Sequence, residues 1–220
     1  MKLRSSTLAL SILMLAAACQ KSEISDKPAA EVSDTGATIT SDSTSTEAGT
    51  VAGNVIKEKS SMNWVAGKVT RDHNGAFKNF DGSIQYVGDK PNAIHFEIDL
   101  TSVEADEPKL TEHLKSPDFF DVARFPKATF RSTSLNPAPA GSPPGVTHML
   151  KGTLDLHGVQ KEVTIPVTAE VTPEGVLARS EFTINRHDWG ISYRGMADDL
   201  IRDNVLIKLN LSFPPPPAAS

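Results

Sequence analysis

The stretch that decides the reading is His113–Phe130, HLKSPDFFDVARFPKATF. Pro117 closes the helix before it, because the residue preceding a proline is pushed out of the helical region. Leu110 and Leu114 stand four apart, so a helix starting near Pro108 sets them on one face. The pair Phe119–Phe120 follows at once, flanked by Asp118 and Asp121. Two such rings are rarely left wet, so they enter a core or line a cavity. Phe125-Pro126 then leads into Ala128-Thr129-Phe130, the start of a strand. On residue types alone this is a helix-to-strand corner.

On both sides of that corner the apolar residues alternate. Ile94, Phe96, Ile98 and Leu100 face one way, and His95, Glu97 and Asp99 the other. The same period of two runs through Met62–Thr70, Ala76–Val87, Lys127–Leu135, Thr147–His157, Val163–Val171 and Val205 to Phe213, and less cleanly through Val176–Ile184. His73-Asn74-Gly75, Asp81-Gly82, His157-Gly158 and Pro173-Glu174-Gly175 read as turns, and Asn136–Gly145 as an irregular loop. This predicts a mainly β chain of about eight strands with one short helix, a sandwich or an up-and-down barrel. An eight-stranded barrel holds either packed side chains or one small ligand. Pro214–Pro217 ends the last strand, since proline cannot donate to a ladder; residues 214–220 form a Pro-rich tail.

The chain of 220 residues carries a net charge of −5 and a single cysteine, Cys19. There is no basic stripe, so nucleic acid is not an expected partner, and no internal disulfide can form. Met1–Cys19 has two cations, a short apolar run and small residues before the cysteine, the pattern of a secretory signal. Residues 19–53 are rich in Ser, Thr and acids and poor in large apolar side chains, which predicts a disordered tether. The folded domain is expected at 54–213.

His113–Thr133 resembles the signature of the YceI-like family of polyisoprenoid-binding proteins. Lys151–Val159 (KGTLDLHGV), Ile184–Ile191 (INRHDWGI) and Asp203-Asn204-Val205 follow in the family's order. The resemblance implies a lipocalin-like antiparallel barrel around an apolar tunnel. It also implies a long-chain isoprenoid partner, a quinone or a polyprenyl lipid, carried or sequestered in the periplasm, with a role in stress. The candidate lining residues are Trp64, Phe77, Phe80, Phe96, Leu110, His113, Leu114, Phe119, Phe120 and Phe130. Leu15-Ala16-Ala17-Ala18-Cys19 resembles a bacterial lipobox, with 1–18 as signal and Cys19 as the lipidated N-terminus. Gln20 after it then implies the outer membrane. A structural or stress-protective lipoprotein with a filled barrel is the alternative.

Little points to chemistry. None of the six histidines pairs with another at metal-ligand spacing. There is no GxSxG and no Gly-rich phosphate loop, so neither an enzyme nor a metal or cofactor is expected. His113 with Asp118 and Asp121 is the one conceivable acid/base set. His113 otherwise locks the helix in place or meets a ligand head group. Arg186 in the INRHDWG segment reads as half of a structural pair with a nearby Asp, the alternative being contact with a quinone or phosphate head.

Overall fold

A computed structural model describes residues 22–35, 51–68, 70–88, 90–196 and 199–216. The signal and Cys19 lie outside the described residues. The strands are β1 (Glu31–Asp34), β2 (Val51–Asn54), β3 (Ser61–Lys68), β4 (Asp72–Phe77), β5 (Phe80–Val87), β6 (Lys90–Asp99) and β7 (Val103–Ala105). After helix α1 (Pro108–Lys115) come β8 (Lys127–Pro137), β9 (His148–Leu156), β10 (Val159–Thr172), β11 (Gly175–Asn185), β12 (Gly195–Met196) and β13 (Asp199–Phe213).

These form one curled sheet whose strands run β2-β5-β6-β8-β9-β10-β11-β13-β3-β4-β7, with β1 added to β10 and β12 to β13. Every pairing between these strands is antiparallel, and one isolated bridge, Ala29 to Thr183, is parallel. Among the described residues the count is thirteen rather than about eight, but the eight longest follow one another from β5 to β3. The others are shorter: β2, β4 and β7 lie towards the ends of the path, and β1 and β12 pair beside β10 and β13. The sheet curls back on itself where the segment between β2 and β3 bridges two distant strands. The Val55 N–H donates to the Gly82 carbonyl on β5, and the Ile56 N–H to the Ser212 carbonyl on β13.

The alternation works because successive side chains on a strand point to opposite faces. On β6, Ile94 and Phe96 are buried while their neighbours are half-exposed. Burying each large apolar side chain contributes about 1.5–3 kcal/mol. The β9–β10 hairpin turns on His157-Gly158, both at positive φ (54° and 73°), as a two-residue primed turn requires.

Two expectations are corrected. His73-Asn74-Gly75 is not a turn but lies within β4, where Gly75 pairs with Trp64; the glycine serves a close ring contact, not a reversal. Residues 19–53 are not a tether throughout. Glu23–Asp26 form a 3₁₀ turn with Ile24 buried, and Glu31–Asp34 pair with β10. The shortage of large apolar residues was misleading there, because backbone pairing and ion pairs hold this segment.

Candidate ligand cavity

The inward faces of the sheet enclose a cavity of about 200 Å³. Met62, Trp64 and Ala66 line it from β3, and Ile94, Phe96 and Ile98 from β6. Val163, Ile165 and Val167 come from β10, and Val205, Ile207, Leu209 and Leu211 from β13. The corner of HLKSPDFF supplies Leu114, Phe119 and Phe120. Phe120 meets Phe77 edge-on, ring centroids 5.9 Å apart.

The cavity stays open because its rings lie flat on glycines. Gly75 is paired with Trp64 and Gly82 with Phe96. A Cβ at Gly75 would stand 2.0 Å from Cζ2 of Trp64, and one at Gly82 2.2 Å from Cε1 of Phe96. A Cβ at Gly152 would stand 2.6 Å from Cζ of Phe130. Each ring occupies the place of the missing methyl and hugs the wall instead of crossing the interior.

Two polar side chains of the lining, Ser180 and Arg186, are engaged with protein. Ser180 Oγ donates to the Pro166 carbonyl. Buried Arg186 donates to the carbonyls of Arg202 (3.2 Å), Ile191 (2.7 Å) and Ile201 (3.4 Å), and Asp203 stands 3.7 Å away. Burial pulls its guanidinium below its ordinary pKa, opposed by the charge of Asp203. This is the structural pair foreseen for Arg186, with three carbonyls added. The Trp64 indole N–H is buried without a partner among the described residues.

Of the ten candidates, Trp64, Phe77, Phe96, Leu114, Phe119, Phe120 and Phe130 reach the cavity wall. Phe80, Leu110 and His113 do not. Phe80 is buried at the start of β5, and Leu110 packs half-buried against the core. His113 is turned outward, with Nε2 3.1 Å from Asp118 Oδ2 and its ring edge-on to Phe119 and Tyr193. It braces the helix rather than facing a ligand. Asp121 pairs with Arg124 at 3.4 Å instead, so His113, Asp118 and Asp121 do not share one site. Among the described residues no cluster of His, Cys, Asp and Glu is arranged to hold a metal. The aliphatic lining from β9, β10, β11 and β13 was not singled out in the sequence, although its alternation was the signal for it.

A curled antiparallel sheet with one short helix, wrapped around an apolar cavity, defines a lipocalin-like architecture. The model of the YceI-like domain matches residues 53–213, and the chain belongs to that family. Proteins called YceI from Salmonella arizonae and Salmonella newport are 38% identical over 93 residues, covering 41% of this chain and 46% of theirs. The match thus spans about half the length of these curated relatives. Among solved structures, BcnA of Burkholderia cenocepacia superposes with a TM-score of 0.62 at 25% identity, covering 72% of this chain and 98% of BcnA. A polyisoprenoid binding domain from Saccharophagus degradans superposes with a TM-score of 0.60 at 19% identity, covering 74% and 98%; at that identity the likeness speaks for the fold alone.

Proposed function

We propose that this protein binds a long-chain isoprenoid, a quinone or a polyprenyl lipid, in the cavity between its sheet faces. It carries or sequesters that lipid in the periplasm, held to the outer membrane through Cys19, and serves in the response to stress. The observation that carries the reading is the cavity itself, whose wall presents mostly apolar side chains and whose Ser180 and Arg186 are engaged with protein. Such a wall takes an apolar chain from water at about 0.8 kcal/mol per buried CH₂. Ten such groups give roughly 8 kcal/mol before the cost of immobilisation, so each further methylene buried adds directly to the affinity. The open cavity favours this over a barrel filled by its own side chains. Ser180 and Arg186, which line the cavity, are committed to backbone carbonyls, and the reading is binding without chemistry.

The test is a titration of lipid-free protein with isoprenoid alcohols and quinones of graded length, followed by tryptophan quenching. Affinity is expected to rise with chain length and to vary less with head group. Affinity independent of length, from a folded protein, contradicts the reading.

A further inference from the structure

The wall is split between β10 and β11. The two strands pair only from Thr168↔Arg179 to Thr172↔Gly175. Continued in the same register, the ladder would set Thr183 against Thr164. It does not continue: Pro166 has no N–H to give, and its carbonyl accepts from the Ser180 hydroxyl instead. Beyond this fork the N-terminal segment fills the gap. Glu31 pairs with Thr164 on one side. On the other, the Thr183 N–H donates to the Pro28 carbonyl, and the Ala30 N–H to the Thr183 carbonyl, each at 2.8 Å. Neighbouring strands are about 4.8 Å apart, so an inserted strand holds β10 and β11 roughly 10 Å from each other.

Both lips of this split belong to the cavity. Val163 and Ile165 line it from β10, Phe182 and Ile184 from β11. Ala30 and Val32 of the inserted segment pack half-buried against the same core. The segment itself is lightly fastened. Ile24 is its buried apolar contact, set against Val65 and Leu206 on the outside of the sheet. Besides its backbone bonds to β10 and Thr183, the segment is held by the ion pairs Glu23–Lys208, Lys27–Glu181 and Asp34–Lys161, and by a Ser22–Asp72 hydrogen bond of 2.8 Å. Partly exposed pairs of this kind hold weakly and are screened by salt. Short, lightly buried segments open more readily than core strands.

We propose that Ser22–Asp34 is a removable strand closing a lateral portal between β10 and β11, through which an extended apolar chain of the isoprenoid class passes into the cavity. The choice of ligand rests on the function proposed above; the portal rests on the split. Removing the strand leaves a slit about two strand spacings wide, bordered by cavity-lining side chains on both sides. The slit suits a flexible chain lying lengthwise.

The test locks the strand. Ser33 and Glu162 are directly paired, with Ser33 Oγ 3.5 Å from Glu162 Oε1. Directly paired positions bring Cα atoms within disulfide reach. The full chain carrying Cys19→Ser, Ser33→Cys and Glu162→Cys is oxidised and mixed with N-phenyl-1-naphthylamine, a dye that brightens in apolar surroundings. Dye loading is expected to slow at least tenfold when oxidised and to recover with reductant, while the final amplitude changes less than twofold. Ile24→Ser, which loosens the strand, is expected to speed loading. Equal loading rates in both redox states, no dye uptake in either, or an unchanged rate in Ile24→Ser overturns the portal. Geranylgeraniol is then added to the dye complex. If it fails to displace a gated dye, the isoprenoid reading falls and the portal stands.

Discussion

Gly82→Ala is a one-methyl change whose effect can be worked from the geometry. The new Cβ would stand 2.2 Å from Cε1 and 2.4 Å from Cδ1 of Phe96. Gly82 is not at positive φ, so the backbone accepts alanine and the ring must give way. An ordinary contact needs more than 3.4 Å, so the ring lifts by over an ångström, and inward is the open direction. Overpacking of this kind costs about 1–3 kcal/mol of stability. For a ligand, a lifted ring that excludes three methylene groups removes about 2.4 kcal/mol, roughly a fifty-fold loss of affinity. The assay is the isoprenoid titration run beside thermal melts. Phe96→Leu in the same background shortens the ring that clashes, and the pair is expected to bind better than Gly82→Ala alone, the coupling expected of residues in contact. Parental binding and melting by Gly82→Ala, or no recovery in the double variant, refutes the idea that glycines keep the cavity open.

Arg186→Met leaves three buried carbonyls without their donor and is expected to cost about 3 kcal/mol; at this size a differential melt should fall by roughly 6–12 °C. Asp99 is held below its ordinary value of 3.8 by the Thr101 hydroxyl, against the opposing effect of burial and with further help from the Thr101 N–H. A depressed carboxyl contributes stability above its unfolded pKa and loses it as pH falls through the folded value. Melting temperature should therefore decline below about pH 4, and Asp99→Asn should make that decline shallower. Cys19→Ser is expected to release the protein from the membrane fraction or leave its precursor uncleaved; unchanged fractionation and migration would remove the anchor from the account.

What was legible in the sequence follows from the period of two. Ile94, Phe96, Ile98 and Leu100 could be assigned to one face because alternation needs no knowledge of the partner strand, and all four line the cavity. Leu114 and the Phe119–Phe120 corner were legible for a similar reason, since a short helix and a proline fix their local geometry. The glycines under the rings were not, because Gly75 and Gly82 acquire meaning only from cross-strand register. In the sequence His73-Asn74-Gly75 has the composition of a turn. His113 was ambiguous because its direction depends on Tyr193, eighty residues away in the chain. The inserted strand escaped notice because Pro28, Ala30 and Glu31 are held by backbone groups, which every residue carries alike.

The central claim is that the cavity holds an isoprenoid, and mass spectrometry of organic extracts from natively purified protein tests it most directly. The account predicts a single isoprenoid class, near one equivalent per chain and depleted in a variant with Leu114→Trp filling the cavity. Extracts free of isoprenoid from folded protein, or an isoprenoid content unchanged by Leu114→Trp, would contradict it.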